Sequence, residues 1–142
     1  MEKNSIKGVI YLKFEDASRP IPLLHLPKDI EHNRIKKIND KLINYLTEQS
    51  PKQNKINILN FESKEFNGII MFEEWKQRNK YWGKAKTAIV VLTNLEKEKI
   101  KQKINNLRPI FKKYIRKFVQ LEKQEAEKER YLILLEEFSD KL

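Results

Sequence analysis

The stretch Thr87-Ala-Ile-Val-Val-Leu92 is apolar at nearly every position, and it decides the fold class. The side chains of a strand alternate between two faces, so a strand that is apolar throughout is buried on both of them. We therefore predict that residues 87–92 form the central strand of a sheet covered on both sides. Segments before and after this stretch are expected to supply the other strands and the covering helices.

Two extended segments open the chain. The first, from Ile6 to Phe14, has apolar side chains on both faces and predicts a strand that is also covered on both sides. One face carries Ile6, Ile10, Leu12 and Phe14, and the other carries Val9 and Tyr11. The second runs from Arg19 to Leu26, where Pro20 and Pro22 cannot donate ladder hydrogen bonds, so we expect it at an edge of the sheet.

One amphipathic helix and two more strands are expected before the central strand. Pro27 and Asp29 mark the start of the helix, which ends in the polar residues 50–55. Its apolar stripe consists of Ile35, Ile38, Leu42 and Leu46. Ile56 to Phe61 and Phe66 to Trp75 are then predicted as strands, which brings the total to five.

The last third of the chain is predicted to be helical. Thr93 and Glu96 have the spacing of a capping box at a helix N-terminus. Pro109 lies within the apolar pattern that follows and predicts a break or kink near Arg108. Residues 122–130 are almost wholly charged, so we expect a solvated stretch there. A second helical stripe then runs through Tyr131, Leu134, Leu135, Phe138 and Leu142.

The composition of the 142 residues bounds the class of protein. A hydrophobic fraction of 39% and a charged fraction of 35% are typical of a soluble chain, and no apolar run approaches the ~18 residues of a membrane span. The absence of cysteine excludes disulfides and cysteine-ligated zinc. The first residues have no signal-peptide pattern, so we expect a cytoplasmic protein, with peripheral association at a membrane as an alternative.

The net charge of +10 points toward anionic partners, because lysine and arginine attract polyanions. By segment, the charge is +2 over residues 1–50, +4 over 51–94 and +4 over 95–142, which indicates no charged pole. Abundant Lys, Asn and Ile also arise from coding bias. A functional and a compositional origin of the charge both remain open.

The side chains that enzymes use are sparse. His25 and His32 are seven residues apart across a predicted strand-to-helix junction, which is not the spacing that places two imidazoles on one helix face. Glu73 and Glu74 are adjacent on a predicted strand and therefore point to opposite faces. The three glycines do not form a phosphate-binding loop. We expect no enzymatic activity, no metal, no cofactor and no small-molecule substrate.

The segment Trp75–Lys86 combines five cations with three aromatic residues in a predicted hairpin loop. Aromatic rings stack on bases or lie at a lipid interface, and the cations contact phosphates, so the mixture suits nucleic acid or anionic headgroups. The opposing interpretation is that the aromatic side chains pack on the sheet and leave ordinary solvated lysines. The candidate residues are Trp75, Lys76, Arg78, Lys80, Tyr81, Trp82, Lys84 and Lys86.

Two other segments are candidates for binding a protein. The third strand is the better edge for pairing with a partner or a second copy of the chain, because the second is protected by prolines. Its candidate residues are Ile56, Ile58 and Phe61. The stripe with Tyr131, Leu135 and Phe138 could fill a partner's groove, or it could pack on its own domain, as such stripes more often do.

The order strand, strand, helix, strand, strand, strand, helix, helix resembles the longin domain over nearly the whole chain. The segments that carry the resemblance are Gly8 to Phe14, Pro20 to Leu26, the Ile35 to Leu46 stripe, Gly68 to Phe72, Thr87 to Leu92 and the helical tail from Leu95. Roadblock and profilin-like folds share much of this pattern. The resemblance implies an α+β fold with a five-stranded antiparallel sheet of order 2-1-5-4-3, one helix on one face and two C-terminal helices on the other.

The resemblance also implies a domain organisation and a function. Residues 1–142 would form a single longin-like domain, with a core of about residues 5–120 and a charged C-terminal helix of about 121–142. Longin and roadblock proteins are adaptors that bind small GTPases, SNARE-like segments or sibling subunits in membrane traffic and signalling. The expected partner is therefore a small GTPase or another longin or roadblock subunit. The alternative is a basic nucleic-acid- or membrane-binding domain that uses the Trp75–Lys86 loop.

Overall fold

The structure, a computed structural model, describes residues 3–15, 21–48, 55–61, 66–76 and 84–142. Within these ranges the chain forms five strands and three α-helices, preceded by a short 3-10 turn at Lys3–Ser5. The strands are β1 (Ile6–Glu15), β2 (Ile21–Leu26), β3 (Asn57–Asn60), β4 (Asn67–Lys76) and β5 (Lys84–Thr93). The helices are α1 (His32–Glu48), α2 (Lys97–Lys123) and α3 (Lys128–Lys141).

The five strands form one antiparallel sheet in the order β2-β1-β5-β4-β3. The predicted sheet order is confirmed, with the apolar strand β5 at its centre. Residues from Ala88 to Val91 in β5 are fully buried, because helices cover both of its faces. The prediction that the second strand lies at an edge is also correct, since β2 pairs with β1 alone within the described residues.

Two hydrophobic layers separate the sheet from its helices. On one face, Val9 and Tyr11 of β1 pack in a cluster with α2 and α3. On the other, Ile10 and Leu12 pack with Ile38 and Leu42 of α1. The predicted placement of one helix on one face and two on the other is therefore confirmed.

The first strand departs from simple alternation at its start. Ile6 packs with the α2–α3 cluster, whereas Ile10 and Leu12 face α1, so the prediction that all three share a face is wrong. The cause is an irregularity in the pairing of β1 with β5 between Ile6 and Gly8, which shifts the register by one residue. A one-residue shift turns the preceding side chain to the opposite face.

The boundaries of two helices differ from those expected. α1 begins at His32, several residues after the Pro27 and Asp29 that were predicted to mark its start. α2 begins after Glu96, and no side-chain hydrogen bond caps it, so the capping box is wrong. The Thr93 hydroxyl instead donates to the carbonyl of Ser5 and accepts from the amide of Leu95, because Thr93 is still part of β5.

The long helix α2 runs without interruption through Pro109, so the predicted break near Arg108 is absent. Pro109 lies on the exposed side, whereas Leu107 and Phe111 on either side of it are buried against the sheet and α3. Tertiary packing of the two buried side chains outweighs the local cost of proline, which is about 3 kcal/mol in a helix interior.

A tight turn connects α2 to α3. The amide of Ala126 donates to the carbonyl of Leu121, and the amide of Glu125 donates to that of Glu122, which is the hydrogen-bond pattern of a Schellman motif. Glu125 takes the left-handed conformation with φ 51°, a position that glycine usually occupies. The turn sends α3 back along α2 and places its apolar stripe on the sheet.

Candidate functional site

Strand β3 presents an open edge, since it pairs with β4 alone within the described residues. The amide of Phe61 donates to the carbonyl of Phe66, and these two residues continue the β3–β4 register. In an antiparallel ladder, hydrogen-bonded and non-hydrogen-bonded pairs alternate, so the peptide groups of Ile58 and Asn60 point away from β4. These groups are positioned to pair with an added strand.

The side chains of β3 fasten it to both layers of the fold. Ile56 and Ile58, both half-buried, pack with the α2–α3 cluster, whereas Leu59 and Phe61 are buried in the cluster beneath α1. The ring of Phe61 lies over Gly68 of β4, where a Cβ atom would come within 2.5 Å of the ring. Of the predicted edge residues, Phe61 is thus a packing residue. The groups of β3 that are open to a partner are the outward peptide groups of its backbone.

A groove of about 850 Å³ lies between α1 and the β3 edge. Its floor is apolar and includes Leu59 and Phe61, and its rim carries cations and carboxylates of α1 and the residues before it. The guanidinium of Arg34 lies 4.9 Å from the centre of the Phe66 ring, across the groove. The charged lining residues are Arg34, Lys37, Lys41, Glu31 and Asp40.

The segment Trp75–Lys86 was predicted to be a loop, but the residues of it that the structure describes belong to strands. The β4–β5 hairpin extends to the pair Lys76 and Lys84, so these residues and Lys86 belong to strands and not to a loop. Lys86 lies 3.6 Å from Glu74. Arg78, Lys80, Tyr81 and Trp82 lie outside the described residues.

Trp75 is buried and does not present its ring to a ligand. It packs with Ala85 and with Val119 of α2, and its indole N–H donates to the hydroxyl of Thr87 at 2.9 Å. The ammonium of Lys13 lies 5.6 Å from the ring centre. Trp75 is therefore a packing residue in this structure, as the second interpretation expects.

The predicted stripe of the last helix is also buried in its own domain. Phe138 makes an edge contact with Phe111, with ring centres 5.2 Å apart, and Tyr131 lies 5.5 Å from the ring of Tyr11. Leu135 is fully buried. Tyr131, Leu135 and Phe138 are thus not available to a partner's groove while α3 is docked, because they form the contact between α3, α2 and the sheet.

A buried polar cluster that the sequence did not indicate joins β1 to the end of α2. Tyr11 donates a hydrogen bond to Oε1 of Glu122, and Lys13 lies 3.1 Å from Oε2 of the same carboxylate. Burial, reinforced by the charge of Glu122, raises the pKa of Tyr11 and of Tyr131 far above the ordinary range. A protonated phenol at Tyr11 donates to the carboxylate, so the cluster fastens β1 to the end of α2. The expectation that Glu122 is solvated is wrong.

The helix α2 is strongly basic. Within its 27 residues, α2 has ten lysines and arginines and two glutamates, one of which is the buried Glu122. Residues 124–142 carry six carboxylates and three cations. The net charge of +4 over residues 95–142 therefore does not show how the charge is distributed, because it sums the basic helix α2 and the acidic residues 124–142.

Of the two histidines, the structure describes the side chain of His25 alone. His25 Nδ1 lies 3.0 Å from the carbonyl oxygen of Pro27, and the side chain of His32 lies outside the described residues. Glu73 and Glu74 occupy successive positions of β4, as expected. In the part of the chain that the structure describes, no cluster of three or more acidic, histidine or cysteine side chains could hold a metal ion.

Comparisons with known proteins find no protein-family model, no curated protein and no solved structure that matches this chain. Among the described residues, no helix has the length and apolar character that crossing a bilayer requires.

Proposed function

We propose that this protein is a non-enzymatic interaction module of longin type, which binds a small GTPase or another longin or roadblock subunit. The observation that carries the proposal is the open edge of β3, where the peptide groups of Ile58 and Asn60 point away from the sheet. The element order and the sheet order 2-1-5-4-3 agree with the longin pattern, which is a likeness of fold and not of site.

The layers of the fold support β3 as the binding element. Because α1 covers one face of the sheet and α2 and α3 cover the other, a partner has access to helix surfaces and to the two edge strands. Pro22 removes a donor from β2, whereas β3 contains no proline. Strand addition at β3 supplies main-chain hydrogen bonds, and the adjoining groove receives alternate side chains of the added strand.

The charge of the groove favours an acidic partner segment. Arg34, Lys37 and Lys41 outnumber Glu31 and Asp40 along its rim, and Arg34 is held over the Phe66 ring. Complementary charge raises the rate of association and selects among partners. A second copy of the chain is a weaker candidate for this edge, because two copies would bring the same cations together.

The proposal is tested by titration calorimetry with purified candidate partners. These are the small GTPases encoded beside this chain, loaded in turn with GDP and with a non-hydrolysable GTP analogue, and co-encoded longin or roadblock subunits. We expect a saturable complex with at least one of them, and a monomer in light scattering when the chain is alone. Absence of binding to every such protein contradicts the proposal.

A further inference from the structure

The cations of α2 form two rows along a helix about 40 Å long. Residues four or seven positions apart lie on the same side of a helix, so the spacing of the cations in the sequence shows which of them belong to the same row. The first row consists of Lys97, Lys101, Arg108, Lys112, Arg116 and Lys123, all exposed except the half-buried Lys112. The second row consists of Lys99, Lys113 and Lys117, with Lys103 half-buried beside it.

The second row lies beside the acidic residues of α3. The ammonium groups of Lys113 and Lys117 lie 5.8 and 5.1 Å from the Tyr114 ring, and Tyr114 packs on Phe138 of α3. Burial raises the pKa of Tyr114, and the carboxylates of Glu137 and Asp140 raise it further, which places both carboxylates near the same ring. Carboxylates of α3 therefore offset part of the charge of this row.

The first row lies along the other flank of α2, away from α3. Val119, seven residues after Lys112, packs on Trp75 of β4, so this side of the helix faces the half of the sheet that contains β4 and β3. Among the described residues, the one ion pair made by a cation of α2 joins Lys101 to Glu98 at 3.6 Å. Within the described residues no ion pair is found for the other cations of the row, and such a line of charge attracts an extended polyanion.

We propose that the first row of α2 binds the surface of an anionic phospholipid membrane. Eight of the ten cations of α2 are lysines, which act as mobile point charges suited to fluid headgroups, whereas arginine dominates where fixed phosphates are held by paired hydrogen bonds. No aromatic side chain of α2 is exposed, which leaves nothing on this helix to stack on bases.

The position of α3 also favours binding of α2 to a flat membrane surface over binding in a nucleic-acid groove. A groove encloses a helix from both sides, but α3 occupies one side of α2 and brings Glu137 and Asp140 with it. A flat surface can approach α2 along the flank that carries the first row, with those carboxylates on the other flank. The contact is electrostatic and peripheral, and it stands independently of a protein partner at β3.

Vesicle flotation with the full chain tests this inference. The probe is a set of unilamellar vesicles of phosphatidylcholine, with or without about 30% phosphatidylserine, at low and at high salt. We expect binding to the anionic vesicles alone, and its loss at high salt. The test variant is Lys101→Gln/Arg108→Gln/Arg116→Gln, and the matched control is Lys99→Gln/Lys113→Gln/Lys117→Gln, which removes the same charge from the second row.

The two variants separate position from net charge. We expect the first-row variant to weaken binding about tenfold or more, and the control to weaken it several-fold less. The single changes Arg108→Gln and Arg116→Gln, each with about a fivefold effect, carry the same test if the triple variant does not fold. Equal losses in both triple variants overturn the assignment, as does tighter binding to duplex DNA than to anionic vesicles at equal phosphate concentration. No binding to the vesicles overturns it too.

Discussion

The hydroxyl of Tyr11 on β1 donates a hydrogen bond to the carboxylate of Glu122, 111 residues later at the end of α2. The bond is buried, and the Tyr11 ring stacks on Phe118 one turn earlier in the helix, with ring centres 4.5 Å apart. Lys13 completes the cluster from the same strand. The cluster thus joins β1 to the last turn of α2, just before the turn that leads into α3.

Removing the carboxylate should destabilise the fold strongly. We expect Glu122→Ala to lower the free energy of unfolding by about 3 kcal/mol, because the Tyr11 hydroxyl loses its buried acceptor and the ion pair with Lys13 is broken. Tyr11→Phe should cost about 1 kcal/mol. Urea denaturation of both single variants and the double variant gives their coupling, and additive effects would show that the two residues do not interact.

Alkaline pH should also destabilise the protein through Tyr11. Its folded-state pKa is raised far above its unfolded value of about 10, so above this pH the unfolded chain loses a proton that the folded chain keeps. The stabilisation is complete below about pH 10 and falls at about 1.4 kcal/mol per pH unit above it. The difference in stability between the native chain and Tyr11→Phe, measured from pH 8 to pH 11 by denaturation, should shrink above about pH 10. A constant difference would contradict the raised pKa.

The contact of α3 with the rest of the fold should depend on its buried stripe. We expect Phe138→Ala to cost about 3–5 kcal/mol, since the ring is fully buried between Phe111 and Tyr114. Ile133→Ala is the matched control on the same helix, because Ile133 is 57% exposed, and it should change stability by less than about 0.5 kcal/mol. Similar small effects of both changes on thermal unfolding would mean that α3 is not docked in solution.

A side chain at Gly68 should destabilise the fold, because it would displace the Phe61 ring. An added Cβ atom would lie 2.5 Å from Cε2 of Phe61, so we expect Gly68→Ala to cost about 1–3 kcal/mol through displacement of the ring and of β3. In a Phe61→Leu background the same change should cost less, because the smaller side chain leaves room. An equal cost in both backgrounds would show that the ring is not the obstacle.

The sequence predicted the parts of the fold that repeat along the chain. Strand β5 and the stripe of α1 are evident because burial of a strand on both faces, or of a helix on one side, leaves a period in the residues themselves. Glu122 could not be found in this way, because a glutamate within a charged run has the same local pattern whether water or Tyr11 is its neighbour. The continuity of α2 through Pro109 is likewise decided by packing against distant strands.

The candidate surfaces were predictable only in part. The prolines of the second strand correctly indicated an edge strand, whereas the choice of β3 as the pairing edge stays a prediction. The burial of Trp75 could not be predicted, because its partners Thr87 and Val119 are distant in sequence and neither has a pattern that indicates contact with a buried indole. The basic face of α2 was overlooked because charges were added over a segment, whereas the electric field depends on which side of a helix each charge occupies.

Binding of a partner by the β3 edge is tested most directly by removing one outward N–H group. Asn60→Pro removes the outward amide donor of Asn60 without touching the hydrogen bonds to β4, and Asn60→Ala is the matched control that keeps this donor. The Asn60 side chain is exposed, so both variants should fold, and denaturation first verifies that their stabilities are equal. In titrations against the partner found by calorimetry, we expect Asn60→Pro to weaken the complex about tenfold or more and Asn60→Ala to leave it within about threefold. Equal affinities of the two variants would contradict the account.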